Sequence, residues 1–296
     1  SEMAASTSDS TDLHYEQTFN GGDQQAKPEL VRILADNAWS AVEWLQSLGM
    51  EFEETPVTVA GGLWQRGQKP VEPEGTGFFT AYQRYMDEHE DLQVMFNTTA
   101  KELILEDGVV TGVICEGKSG NTVTVKAKNG VVLATGFAAN REMVNEALSQ
   151  TDKWPELTDV VKTTNTSSIT GDGIQMAETV GANLIQMYNI QLLPLGDPET
   201  GSLSGNIGHG PVSYIFVNKD GNRFTDEGGR RDDMTLALFD QTDSTMFMIM
   251  DSDTYPNGDE LNNFGEHIDD LVAAGRAYKA DTIEELLGMI EGMDVE

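Results

Sequence analysis

The feature that most constrains the fold is an unbroken apolar run at residues 130–137, which contains Thr135-Gly136 near its end. An apolar run without polar alternation is typical of a strand buried on both faces, as in a parallel sheet covered by helices. Such sheets bind ligands at the carboxyl ends of their strands. The run therefore predicts an α/β fold and makes Thr135 and Gly136 candidate ligand-binding residues.

Regular patterns surround this run. Residues 92–127 alternate apolar and polar side chains between turn sequences such as Asp107-Gly108, which predicts a β-meander. Helical spacing of apolar residues predicts helices at 28–48, 77–90, 140–148 and 174–180, whereas the polar residues 1–27 predict a loop with one short helix. The composition changes near Tyr188, where a Met-, Leu- and Gly-rich stretch begins. We therefore predict two domains, residues 1–187 and 188–296, the second with α+β character.

Composition excludes several classes of function. The chain has 18 Lys+Arg and 50 Asp+Glu, a formal net charge of −32 that repels phosphate backbones and anionic surfaces. No nucleic-acid partner is expected. No membrane insertion is expected either, since no stretch approaches the roughly 18 apolar residues that span a bilayer. The single Cys115 and four histidines without metal-ligand spacing predict no metal site.

A second ligand signal is the segment Thr170-Gly171-Asp172-Gly173, which precedes a predicted helix. The free N–H groups at a helix start favour an anion or the polar edge of a cofactor. Asp172 is equally suited to be a plain helix N-cap, a purely structural role. The GxGxxG fingerprint is absent from the sequence, so the residues alone do not define a complete dinucleotide-binding unit.

The densest group of opposite charges lies at residues 215–233. A short apolar strand and a tight turn lead to Glu227, two glycines, and then Arg230-Arg231-Asp232. Glycines before paired cations allow the backbone to approach a ligand and to direct a side chain at it. A solvated hairpin with surface ion pairs is the structural alternative. His209, in the Gly-rich stretch before this segment, is a candidate site residue or a surface-loop histidine.

Taken in order, these pieces resemble the soluble flavoprotein fumarate reductase family, which is related to the succinate dehydrogenase flavoprotein. The matching segments are 3–7, 21–25, 44–49, 131–136, 170–177 and 217–232. The resemblance implies that residues 1–187 are the middle of an FAD-binding domain and that residues 188–296 are the first part of a capping domain. It also implies that the N-terminal nucleotide-binding unit and the end of the cap lie outside this sequence. We therefore expect the chain alone to bind FAD poorly and to be inactive.

The resemblance implies two groups of flavin-binding residues. One is the loop that lies against the flavin, formed by Ala4, Ala5 and Ser6. The other consists of Ala100, near the adenine, and of the residues at the two glycine signals, Thr135, Gly136, Gly171 and Asp172.

The reaction implied by the resemblance is reduction of the C=C bond of an unsaturated carboxylate. Flavin N5 delivers a hydride to one carbon, and Arg231 delivers the proton to the other, with Glu227 and Asp232 beside it. Because an arginine has a pKa above about 12, it must be held against the substrate carbon and re-protonated through neighbouring carboxylates. Arg230 is the competing candidate if the alignment shifts by one residue.

Three positions depart from the family pattern. Leu193 replaces a histidine that holds a substrate carboxylate, and Ile207 and Gly210 replace a glutamate and an arginine that relay protons. The candidates for a compensating residue, among which the sequence does not choose, are His209, Asp197 and Glu199. We therefore expect a substrate with one carboxylate, such as an aryl or imidazolyl acrylate like urocanate, in preference to fumarate.

Two other functions stay open, namely ketosteroid-type dehydrogenation on the same flavin scaffold and a non-catalytic flavoprotein or binding module. The resemblance places the electron donor, a haem or FMN module, outside this chain. Few lysines and the single cysteine favour a bacterial extracytoplasmic location over a cytoplasmic one.

Overall fold

The computed structural model describes residues 9–58, 62–203, 205, 207–208, 214–257, 259–262, 264–290 and 293. The candidate residues Ala4, Ala5, Ser6 and His209 lie outside these ranges, as does Gly210. The helices are α1 (Thr11–Gly21), α2 (Pro28–Ser47), α3 (Thr76–Asp87), α4 (Arg141–Leu148), α5 (Asp172–Thr179), α6 (Arg231–Phe239), α7 (Ile268–Ala273) and α8 (Ile283–Leu287). The strands are β1 (Thr98–Glu106), β2 (Val109–Gly117), β3 (Thr122–Lys126), β4 (Ile215–Val217) and β5 (Phe247–Ile249).

The predicted helix at residues 28–48 is confirmed as α2, but its environment differs from the expected one. Pro28 stands in its first turn and Gly49, with a φ of +83°, follows its end. Val31 and Ala35 are buried, whereas Leu30 and Ile33 are more than half exposed. The helical period was therefore correctly recognised, although most of its apolar stripe does not enter a core.

The predicted meander is confirmed. Strands β1, β2 and β3 form an antiparallel sheet in chain order, with Leu103 opposite Val113 and Ala100 opposite Cys115. Asp107 and Gly108 form the first turn with positive φ values of 51° and 80°, the conformation that an Asp-Gly pair adopts readily. The buried side chains of Leu103 and Cys115 lie on one face of this sheet.

The apolar run at residues 130–137 differs from the predicted buried strand. In the described part of the chain it pairs with no other strand, and Val132 is 92% exposed. Both sheets found there are antiparallel. An apolar sequence shows that side chains are suited to burial, but a parallel strand also requires neighbouring strands and covering helices. Within the described residues no strand pairs with the run, although α5 meets it at Thr135 and the core that contains α4 meets it at Phe137.

The main core joins residues that are far apart in the sequence. Val144 and Leu148 of α4 pack with Trp154, Leu157 and Leu192. Phe239 at the end of α6 adds an edge-on ring contact to Trp154, with ring centroids 6.5 Å apart. This core crosses the predicted domain boundary at residue 188, and the division into residues 1–187 and 188–296 stays a prediction.

The remaining elements lie in the last third of the chain. β4 and β5 pair antiparallel, which bears out the short strand expected before the charged segment. A second, smaller core forms where Ile268 and Leu271 of α7 pack with Ala277. None of the helices that the structure describes combines the length and apolar character needed to cross a membrane.

Candidate functional site

The two glycine signals predicted from the sequence meet in space. A Cβ atom added to Gly173 would lie 2.4 Å from the Thr135 Oγ1, and one added to Gly136 would lie 3.0 Å from Ile169 Cγ2. Gly171, with a φ of +87°, has Met143 Sδ within 2.5 Å of such an atom. Real Cβ contacts are longer than this, so these glycines allow neighbouring side chains to approach their backbone closely.

The fit of this region to a flavin nucleotide can be judged from its polar groups. Asp172 begins α5, whose first N–H groups have no partner within the helix, and its carboxylate accepts a 2.8 Å hydrogen bond from Thr170. Thr135 and Asp172 are exposed, whereas Gly171 and Gly173 are buried. Helix α5 also packs against β1, the strand that carries Ala100. The arrangement offers free backbone donors and bare backbone, which fit the polar groups of FAD.

A separate cleft of about 800 Å³ contains the predicted Arg231 and Asp232. Its walls come from three parts of the chain: α1, the loop that precedes residue 68, and the start of α6 with the nearby Gln191. The lining residues are His14, Gln17, Thr18, Asn20, Gly21, Val57, Gly62, Leu63, Trp64, Arg66, Gly67, Gln191, Arg230, Arg231 and Asp232. This volume lies within the ordinary range for small-molecule sites.

The start of α6 is fixed by ion pairs on both sides of Arg231. The Arg230 guanidinium donates two 2.9 Å hydrogen bonds to the carboxylate of Asp23, which follows α1. Asp232 pairs with Lys153 and lies 3.4 Å from the Gln191 amide nitrogen. Arg230 is therefore held by Asp23, and both Arg230 and Arg231 line the cleft.

A third arginine, Arg66, also lines the cleft, and the sequence did not single it out. Arg66 donates from Nε and from a terminal nitrogen to the two oxygens of Asp9, at 2.9 Å and 2.7 Å. These bonds hold the pKa of Asp9 below its usual value. Burial and the Arg66 charge both lower the pKa of His14, so its imidazole is neutral at pH 7.

Glu227, predicted to act beside Arg231, has a different position. Its side chain is 3% exposed, accepts a 2.8 Å hydrogen bond from Phe216 N–H, and forms a fork with Arg223. Burial alone would raise the pKa of Glu227, but the bonds from Arg223 and Phe216 lower it overall. Glu227 joins β4 to the following turn and is not among the residues that line the cleft. Its catalytic role stays a prediction.

The described positions that depart from the family pattern, Leu193 and Ile207, do not line the cleft, and neither do the candidate substitutes Asp197 and Glu199. Leu193 is half-buried, next to the buried core residue Leu192. Asp197 is paired with Arg276 at 2.6 Å, and Glu199 is exposed. Ile207 packs against the α7 core. Within the described part, no three His, Cys, Asp or Glu side chains are grouped so as to hold a metal ion.

Comparison with known proteins assigns the chain to a flavin-binding class. The chain belongs to the FAD binding domain family, which matches residues 1–284. This membership confirms the predicted FAD cofactor and the resemblance given by the sequence motifs. The structure also superposes on the open conformation of a flavocytochrome c3 fumarate reductase with a TM-score of 0.71 and 25% identity, over 97% of this chain and 49% of that one.

Curated relatives fall in the same group. An NADH:acrylate oxidoreductase of Vibrio harveyi is 33% identical over 288 residues, which cover 94% of this chain and 28% of the relative. A urocanate reductase of Eggerthella lenta is 32% identical over 282 residues, covering 94% of this chain and 45% of the relative. The chain thus spans less than half the length of these two relatives.

Proposed function

We propose that the intact protein is an FAD-dependent reductase of the C=C bond of α,β-unsaturated carboxylates, with Arg231 as the proton donor. The observation that carries this proposal is the position of Arg231 at the start of α6, inside the cleft that it shares with Arg230, Asp232 and Gln191. The acrylate, urocanate and fumarate reductases among the relatives support the same reaction class.

The residues of the cleft supply binding and protonation. FAD, when bound, supplies the hydride. A guanidinium binds a carboxylate through paired N–H donors and stabilises negative charge that develops on the substrate. Arg231 is the first residue of α6, and Asp232 and Asp233 follow it in the sequence. We propose that a neighbouring carboxylate returns the proton to it. Positioning of the guanidinium then contributes most of its effect, since its own acidity is weak.

The charges of the cleft favour a substrate with one carboxylate. Arg66 and Arg230 are each engaged by both oxygens of an aspartate, Asp9 and Asp23. A second substrate carboxylate would have to displace one of these aspartates, and Leu193 offers no charge in compensation. We therefore propose an aryl or imidazolyl acrylate as the preferred substrate over fumarate.

The alternatives have less support. A ketosteroid dehydrogenase shares the fold at 19% identity and a TM-score of 0.62. A Tyr-rich substrate wall would favour that chemistry, yet Trp64 is the one aromatic residue among the described cleft-lining residues other than the imidazole of His14. A haem or FMN module as electron donor and a bacterial extracytoplasmic location are further proposals, the first based on the family resemblance and the second on composition.

The test uses the intact FAD-loaded protein with a reduced viologen as electron donor. Arg231→Gln should lower kcat by at least about 100-fold, the scale of a positioned proton donor. Arg230→Gln, which removes the neighbouring guanidinium, is the matched comparison and should lower kcat less. Wild-type kcat in Arg231→Gln would remove this residue from the mechanism. Faster turnover of fumarate than of urocanate and cinnamate would refute the substrate preference.

A further inference from the structure

One face of α1 forms a polar wall of the cleft. His14, Gln17, Thr18 and Gly21 all line it, and their spacing of three, four and seven residues places them on one side of a helix. Helix α1 is held in place from behind, since Arg32 of α2 bonds Asp12 at 2.9 Å and lies over the Tyr15 ring. The wall is therefore anchored to its neighbour.

Gln17 is the unusual residue of this wall. Its Oε1 is buried and has no hydrogen-bond partner, and no other buried side-chain nitrogen or oxygen in the described part of the chain shares this condition. A buried acceptor without a partner destabilises a fold, and a functional role is one explanation for such a group. A rotation of the Gln17 side chain towards the adjoining cleft would give its amide a partner there.

His14 stands one helical turn before Gln17 on the same wall. Its pKa is lowered by burial and by Arg66, so the ring is neutral at pH 7 and presents one donor and one acceptor. The charged groups facing it are Arg66 and Asp9, which neutralise each other in a two-bond pair. The wall therefore combines an amide and an imidazole, both neutral, with little net charge around them.

We propose that Gln17 and His14 bind the neutral far end of the substrate, an N–H-bearing heterocycle, while its acrylate end lies at Arg231. This inference rests on the proposed function. It makes the α1 wall the determinant that separates a heteroaryl acrylate from a phenyl acrylate. A site built to hydrogen-bond an N–H group discriminates strongly against a ligand that lacks it. The polar edge of the flavin ring has similar hydrogen-bonding chemistry and is the competing occupant.

The test compares urocanate with cinnamate, two acrylates that differ in whether the ring carries N–H groups. In the intact FAD-loaded protein, Gln17→Leu should raise the KM for urocanate about 10-fold, as expected for loss of one good hydrogen bond. Its KM for cinnamate should stay within about twofold of wild type. His14→Phe should act in the same direction. Gln150→Leu, at an exposed site after α4, is the matched control and should change neither KM.

The flavin content and spectrum, the KM values and calorimetric binding together test this inference. FAD content and the visible spectrum of the flavin should be unchanged in Gln17→Leu. If the variant instead binds less FAD or has a shifted flavin spectrum, and the KM values for both acrylates change equally, the wall binds FAD and the inference is overturned. Equal KM changes without a flavin change also overturn it. Calorimetric titration of the oxidised protein should show weaker urocanate binding in the variant but unchanged cinnamate binding.

The proposed function fails separately, if the wild-type protein reduces neither acrylate. The calorimetric comparison then decides the role of the α1 wall by itself, since it requires no turnover. If Gln17→Leu does not fold, Gln17→Met preserves the length of the side chain without its amide and replaces it in every arm of the test. Equal affinity of wild type and Gln17→Met for urocanate would refute the inference.

Discussion

Replacing Gly171 with alanine should damage both the fold and the flavin site. The new Cβ would lie 2.5 Å from Met143 Sδ and 3.0 Å from Phe137 Cβ, at a backbone φ of +87°. A left-handed conformation costs a non-glycine residue about 1–2 kcal/mol, and overpacking adds about 1–3 kcal/mol. The methionine can move, which reduces the second contribution. We therefore expect Gly171→Ala to lower the free energy of unfolding by about 2–4 kcal/mol.

Gly181 provides a matched control for the backbone contribution. Its φ is +89° and a Cβ atom there would meet nothing within 4 Å. Gly181→Ala should therefore carry the conformational cost alone, about 1–2 kcal/mol. The difference between the two variants measures the close packing between the start of α5 and the segment that contains Phe137.

The assay is urea denaturation followed by circular dichroism, together with FAD binding to the intact protein measured by fluorescence. Gly171→Ala should bind FAD more weakly, because separation of α5 from residues 135–137 displaces the backbone donors of the site. Gly181→Ala should retain wild-type affinity. The reasoning is refuted if the two variants are equally stable, or if Gly171→Ala binds FAD as tightly as the wild type does.

Two further predictions concern ion pairs. Glu227→Gln leaves an oxygen for Phe216 N–H but loses the charge that pairs with Arg223. Urea denaturation should therefore show a free energy of unfolding lower by about 1–2 kcal/mol. Because the pKa of Glu227 is lower in the folded than in the unfolded state, this stabilisation is present above about pH 4.3 and is lost as pH falls through the folded-state pKa. Wild type and Glu227→Gln should therefore converge in stability at low pH, and a gap that persists there contradicts the assignment. Asp23→Asn should release Arg230 and lower the KM for fumarate relative to urocanate, measured with the viologen assay; an unchanged ratio would show that this pair does not exclude a second carboxylate.

Local sequence signals predicted the elements well. Pro28 in the first turn and Gly49 after the end predicted the bounds of α2 almost to the residue. Asp107-Gly108 predicted the first turn of the meander. These signals work because the residues that make the structure are adjacent in the chain. The sequence marked residues 135–136 and 171–173 as two separate ligand signals, and their meeting is a result of the structure.

Burial was predicted less well, for a physical reason. The apolar stripe of α2 and the run at residues 130–137 both indicate side chains that are suited to a core, yet Leu30 and Val132 are 58% and 92% exposed. Periodicity shows which side chains share a face, but not what lies against that face. Only contacts between distant parts of the chain determine that, and one sequence does not contain them in readable form. The pairing of Glu227 with Arg223 was not predicted for a different reason: Arg223 and Arg231 both lie four residues from Glu227, so spacing alone does not choose between them.

The α1 wall was not predicted from the sequence, because α1 lacks the apolar periodicity that indicates a buried helix face. Residues 1–27 are polar and predicted a loop with one short helix; α1 is a helix in this range, and Ser10 caps it by accepting a 3.1 Å hydrogen bond from Leu13 N–H. The spacing of His14, Gln17 and Thr18 is that of an amphipathic stripe, except that its members are polar. These positions of α1 carry neutral hydrogen-bonding groups and no acidic ones, although the chain has 50 acidic residues. The solvent face of a helix in such a chain is expected to carry charged residues. In a strongly acidic protein, a neutral polar stripe at helical period is therefore the signal that would have identified this wall of the cleft.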